Sequence, residues 1–244
     1  MMQGNQLGTS APDESPGRPG GAWILAIDTS TEQAGLALSD GATVLERSWD
    51  AGRAQTTTVL PAIDSLLGDA GLSVADLGAI AVATGPGTFT GLRVGVSIAK
   101  GLVLARDIPL VGVPTLEVAA APVRESEREV VAVLPAGRGR VVWQRFAGRE
   151  AAEPRNTTVP ELIAALATSP GALLIGELAE AHRAMVEAAH PRVRWEHRRP
   201  ALLAGLARTR LEAGEADDPV TLEPRYLHGV TVQAPPIEDR LKKA

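Results

Sequence analysis

Cysteine is absent from the 244 residues, which removes three kinds of chemistry at once: a disulfide framework, a thiolate zinc site and a cysteine nucleophile. Histidine is scarce. The four present, His182, His190, His197 and His228, include no pair four residues apart, so the two-ligand helix pattern cannot form. All lie late in the chain in polar surroundings, and each is expected at an exposed or capping position. Positive charge is not in excess either. With 24 Lys and Arg against 29 Asp and Glu the net charge is −5, so the chain as a whole lacks an electrostatic footprint for wrapping nucleic acid. Long apolar runs are missing: none reaches the ~18 residues of a membrane span. The opening MMQGNQLGTSAPDESPGRPG has neither the charged start nor the apolar middle of a secretion signal. A cytoplasmic protein with a disordered tail over 1–21 is expected.

What is there suits a globular chain. A hydrophobic fraction of 45% with 22% charged residues gives a length of this order a sizeable core without staples. Residues 22–49 read as three short strands, with Ser39-Asp40-Gly41 as a hairpin turn because Asp-Gly readily adopts positive φ. Apolar positions at helical spacing predict a first helix over about 54–70, ended by Gly71. LGAIAVATG reads as a strand buried on both faces, and a second helix is expected from an N-cap near Thr90 to about Arg106. IPLVGV supplies another strand and PTLEVAAAP a short helix. Beyond Pro122 a charged turn, a hairpin over VVAVLPAGRGRVVWQRF and alternating helices and strands indicate a second unit, hence α/β layers with a mixed sheet in each half. No internal repeat is evident in the residues.

Two constellations could carry chemistry. Asp28, followed by Thr29, Ser30 and Thr31, closes the first strand, where open α/β sheets place ligand groups, and such an Asp can hold a metal-bound water near a phosphate; a turn-capping Asp is the other reading. Gly85, Pro86, Gly87, Thr88 and Gly91 form a glycine loop leading into the second helix, and Arg93 lies in its first turn. Backbone N–H groups, a helix start and a guanidinium together could cradle an anion. The Gly-Lys-Ser/Thr ending of a P-loop and the dinucleotide spacing are both absent, and a tight strand-to-helix turn packed against a neighbour explains the glycines equally well. Ser30, Thr88 and Thr90 have no evident histidine partner for nucleophilic catalysis. Arg138, Arg140 and Arg145 are open between nucleic-acid contact and plain solvation.

The helices themselves have surface to spare. The first helix carries an apolar arc of roughly 160° and the second roughly 220°, against the ~100° that packing on one core needs. Gly91, Gly95 and Ala99, four apart, would let another helix approach closely. Cover by the second unit is one possibility; a partner is the favoured one. The expected interface is Val59, Leu60, Ile63, Leu66 and Leu67 with Leu92, Gly95, Val96, Ile98, Ala99 and Leu102. A charge there, as in Val96→Glu or Ile98→Glu, is expected to spare the fold and abolish pairing.

ILAIDTST at 24–31, VLPAIDSLL at 59–67, ATGPGTFTGLRVGVSIAKGL at 83–102, IPLVGVPTLE at 108–117 and EPRYL at 223–227 together resemble the bacterial TsaB family, also called YeaZ. The resemblance implies an α/β, actin-like fold of the Hsp70 and sugar-kinase superfamily, two-lobed, with mixed sheets flanked by helices. It places the first lobe at 22–117 plus about 218–230, a smaller second lobe at 118–217, and a flexible tail at 231–244. It implies a non-catalytic subunit that pairs with the transferase TsaD and works with TsaE to install threonylcarbamoyl on N6 of adenosine 37 in tRNA. On this reading tRNA is met only through the complex, the chain alone could form a homodimer, and no cofactor, metal or membrane is involved. Asp28, Thr29, Ser30, Gly85, Pro86, Gly87, Thr88, Gly91 and Arg93 would then line a vestigial nucleotide cleft. Gln55 stands where relatives usually have histidine, and Pro135 where many have aspartate. The rival is an ATP-dependent actin-like small kinase or ATPase using Asp28, the glycine loop and Arg93.

Overall fold

A computed structural model describes residues 22–52 and 54–227; the expected tails at 1–21 and 231–244, and His228, lie outside them. β1 (Trp23–Asp28), β2 (Gln33–Ser39) and β3 (Val44–Asp50) form an antiparallel meander. Its β2–β3 turn closes because the Asp40 carboxylate accepts from the N–H groups of Ala42 and Thr43, at 2.9 and 2.6 Å, while Gly41 takes φ +94°, which a residue with a Cβ rarely adopts. Next come α1 (Gln55–Asp69), β4 (Leu77–Gly85), α2 (Phe89–Arg106) and β5 (Leu110–Pro114). Parallel neighbours need a crossover, which the helices supply. β4 lies parallel beside β1 and β5 beside β4, giving the order β3-β2-β1-β4-β5.

The chain then builds the same thing again. After α3 (Thr115–Ala120) come β6 (Val130–Pro135), β7 (Arg140–Ala147), the short β8 (Glu150–Ala151) and β9 (Arg155–Thr158). α4 (Val159–Ala167), β10 (Leu173–Gly176), α5 (Glu180–Ala189), β11 (Val193–Trp195) and α6 (Pro200–Glu212) follow. β7 runs antiparallel to β6 and to β9, β10 is parallel to β6, and β11 to β10. Read as β9-β7-β6-β10-β11, this sheet repeats the first. The duplication is one of topology, which is why the residues show no repeat.

Each unit hands its last helix to the other. Leu116, Ala119 and Ala120 of α3 pack on Val130, Ala132 and Leu134 of the second sheet, whereas Leu203, Ala204 and Ala207 of α6 pack on Ile24, Ala26, Ala37, Val111 and Val113 of the first. The division of the chain therefore needs correcting. It leaves the first lobe at Pro114–Thr115 and returns at α6 rather than near 218, because the apolar face of α6 matches the small-residue face of the first sheet. Helices α1 and α2 cover that sheet's other face, through Leu25, Ile27, Leu36, Val59, Ile63, Val82, Val96 and Val103; α4 and α5 cover the outer face of the second through Leu162, Leu166 and Val186. The fold class is the α/β, two-lobed one expected, with a mixed sheet flanked by helices in each lobe. Among the described residues no helix is long and apolar enough to cross a membrane.

Smaller corrections follow from packing. The N-cap of α2 is Thr88, whose hydroxyl accepts from the Gly91 N–H at 3.3 Å, so the helix begins one residue before Thr90. His190 takes the capping alternative, at the C-cap of α5, and is buried there with its Nε2 2.9 Å from the Ala172 carbonyl oxygen. Arg140 is held by the Asn156 side-chain oxygen at 2.8 Å, and Arg145 by Glu129 at 3.2 Å and Ser169 at 2.8 Å, which gives both structural partners.

Candidate functional site in the cleft between the lobes

Sheet topology brings the carboxyl ends of β1 and β10 to face each other. There Asp28, 3% exposed, turns its Oδ1 onto its own turn, accepting from the Ser30 N–H at 2.9 Å and the Ser30 hydroxyl at 2.5 Å. Its Oδ2 accepts from Nε of Arg198 at 2.8 Å. Arg198 lies in the segment between β11 and α6, 170 residues away in sequence, and is itself buried. Its Nη1 reaches Glu177 Oε1 at 2.5 Å and its Nη2 the Thr31 hydroxyl at 2.9 Å, while its backbone N–H also donates to Glu177 Oε1, at 3.1 Å. Burial alone would pull this guanidinium's pKa down; the charges of Asp28 and Glu177 outweigh it and hold the proton above its ordinary value, the expected result of opposite charges meeting away from water.

Arg198 and Glu177 are the two residues that sequence reasoning missed. Neither stands in a motif, and a buried Arg can be recognised only once its carboxylates are placed around it. Glu177 follows Gly176, the counterpart in the second unit of Gly85. Gly176 takes φ +140° and lies so close to the Val133 backbone that a Cβ would collide with it.

The glycine loop lies beside this cluster, and its small residues serve close packing. The Thr88 N–H donates to the Ser30 carbonyl at 2.6 Å, and the Thr29 hydroxyl donates to the Gly91 carbonyl at 2.6 Å. A Cβ on Gly87 would strike the Ser30 carbonyl, on Gly91 the Thr29 carbonyl, and on Gly95 the Thr29 hydroxyl. Gln55 completes the clamp, its side-chain amide donating to the Thr31 carbonyl at 2.5 Å. Asp28, Thr29, Ser30, Gly85, Pro86, Gly87, Thr88 and Gly91 are thus brought together. Arg93 is not. It is exposed, stacked 3.9 Å over the Phe89 ring and donating from Nε to the Tyr226 hydroxyl at 3.0 Å, on the far side of the helix start. Gly91→Ala is expected to destabilise the fold by about 1–3 kcal/mol through overpacking in urea unfolding, whereas Gly101→Ala, where a Cβ meets open space, is expected to cause no loss.

Beside Asp28 and Arg198 the lobes leave an open cleft of about 430 Å³, lined among others by Thr31, Gln33, Asp50, Thr88, Glu177, Arg183 and His197. A hollow of about 170 Å³ adjoins it at Pro86, Gly87, Pro135 and Asn156. Pro135, at the end of β6, is the counterpart of Asp28 and contributes no charge. Among the described residues no group of three or more His, Asp or Glu is arranged to hold a metal ion.

The expected partner face is largely interior. Val59, Ile63, Leu66, Leu67, Leu92, Gly95, Val96 and Ala99 are buried against the first sheet, because two parallel helices on a five-stranded sheet use more of their apolar arc than one helix on a flat surface. Ile98 and Leu102 are half-buried on the same core. What remains outward is Leu60 at 53% exposure, Phe89 at 56% and Leu104 at 69%.

Comparison with known proteins adds a family. Residues 49–212 match the sequence model of a family described as TsaD, tRNA N6-adenosine threonylcarbamoyltransferase. Over 125 residues the chain is 38% identical to the tRNA threonylcarbamoyladenosine biosynthesis protein TsaB of Escherichia coli K12, a match covering 50% of this chain and 54% of that one. The chain spans about half the length of such curated relatives. An uncharacterized protein of Mycobacterium tuberculosis H37Rv is 33% identical over 207 residues, 84% of this chain and 90% of its own. Among solved structures, an uncharacterized Pseudomonas aeruginosa protein with similarity to peptidase YEAZ superposes with a TM-score of 0.70 at 26% identity, covering 85% of this chain and 100% of that one.

Proposed function

The chain belongs to the TsaB (YeaZ) family, within the wider family of the TsaD transferase, and on that premise we propose that it is a non-catalytic scaffold subunit of the apparatus that forms N6-threonylcarbamoyladenosine in tRNA. It pairs with TsaD, which carries the chemistry, and works with TsaE. One observation carries the reading: both oxygens of Asp28, the acid that closes β1, are engaged by Ser30 and Arg198. A phosphotransferase needs that carboxylate free to orient a metal-bound water or a phosphate. The rival, an ATP-dependent small kinase or ATPase, draws on the open cleft beside Glu177, and it would have to displace a buried, doubly paired guanidinium before turnover.

The partner surface in this proposal is the outward side of α1 and α2, where Leu60, Phe89 and Leu104 stand clear and the glycine at 101 adds no bulk. Exposed apolar helices of this kind also self-associate when the partner is missing. In a modification assay reconstituted from TsaD, TsaE, tRNA and this chain, Asp50→Asn and His197→Ala, both lining the cleft, are expected to leave modification unchanged. A loss of about 10²-fold or more, as removal of an acid–base group brings, with TsaD pairing intact, would return the chain to the enzymes.

A further inference from the structure

Between their sheets the lobes are joined by chain crossings at Pro114–Thr115 and at Glu196–Arg199, while the last described residues reach from Thr84 of the first lobe, through Arg225, to Asn156 of the second, through Leu227. A change in lobe angle is taken up by the backbone at these passages. The second crossing is pinned on both sides by one side chain. Toward the first lobe Arg198 binds Asp28 through Nε and Thr31 through Nη2; toward the second it binds Glu177 through Nη1 and its own N–H. All of these bonds are buried, and among the described residues no buried side-chain polar atom lacks a partner, so the cluster is satisfied without a ligand. In a two-lobed protein whose cleft opens and closes on a bound molecule, the molecule supplies the bridging contacts and sets the angle. Here the bridge is covalently part of the chain.

We propose that Arg198 is an internal tie that fixes the angle between the lobes, a cation built into the hinge segment that bridges the two sides as a ligand does in a lobe-closing protein. The consequence is a rigid body whose outer helices present one arrangement to a partner, whatever small molecules are present. The absence of cysteine makes the test clean, because two introduced thiols are the only ones to label. Spin labels at Ala42→Cys and Ala184→Cys, exposed positions in the first and second lobes, report the interlobe distance by pulsed dipolar spectroscopy.

The otherwise unaltered chain is expected to give one narrow distance distribution. Arg198→Met leaves two carboxylates buried without their cation and can unfold the protein. The decisive variant is therefore the neutral set Arg198→Met, Asp28→Asn and Glu177→Gln, which leaves no unpaired charge. Its interlobe distribution is expected to broaden and shift, while a pair within the first lobe, Ala42→Cys with Ala105→Cys, stays narrow. An interlobe distribution in the folded neutral variant as narrow as the original, and at the same distance, would overturn the proposal.

Discussion

Arg198→Met is expected to cost about 3–5 kcal/mol of folding stability, the penalty for breaking a buried ion network by removing one partner. The size follows from what stays behind. Asp28 and Glu177 are 3% and 7% exposed, so little water reaches them, and each carboxylate would face desolvation without a cation. The neutral combination with Asp28→Asn and Glu177→Gln is expected to recover most of the loss, since replacing a whole buried charge set is often close to neutral. Urea unfolding of the single and combined variants measures both. A single variant as stable as the parent would mean that the three groups do not form one network. The same variants also separate stability from lobe geometry, because a loosened hinge can accompany a recovered midpoint.

Leu60→Glu and Leu104→Glu are expected to abolish capture of TsaD and to shift unfolding by no more than about 0.5 kcal/mol, as substitutions at exposed positions do. Val96→Glu is expected to behave in the opposite way. Val96 is 4% exposed and packed in the first core, so a carboxylate there is buried without a partner and the loss exceeds about 4 kcal/mol. Contrary to what the helix arc alone suggests, this substitution does not spare the fold. Ile98→Glu falls between, since the residue is half-buried on the same core. Copurification of each variant with TsaD, scored beside its circular dichroism melt, distinguishes a lost interface from a lost fold. Retained capture by both Leu variants would move the partner surface away from α1 and α2.

Much of the first lobe was legible because its signals are local. The Asp-Gly turn after Ser39, the uninterrupted strand before Gly85 and the helical spacing of Val59, Ile63 and Leu66 each announce an element within a few residues, and the glycine loop carried the family as well. The exchange of α3 and α6 was not legible. A helix's apolar face shows in its residues, but which sheet receives it depends on complementary faces far apart in the chain, as when Leu203 meets Ile24 and Ala26. Helix faces suffered the same limit: periodicity finds an arc wider than one contact needs, yet cannot divide it between core and partner. In the cleft, Asp28 was found by its place at a strand end, while its buried cation was hidden because ion pairing across 170 residues leaves no trace in spacing. The small residues of the glycine loop have a packing role that spacing does not show, Gly91 lying against Thr29 and Gly87 against Ser30.

The proposed function turns on Asp28 being engaged by the chain's own Arg198, so that this chain supports chemistry carried by a partner and does not itself turn over a nucleotide. Isothermal titration of the isolated chain with ATP and Mg²⁺, followed by phosphate release from the same sample, tests it most directly. The account predicts no heat of binding at micromolar nucleotide and no turnover above buffer. Micromolar affinity together with phosphate release that is lost in Asp28→Asn would contradict it.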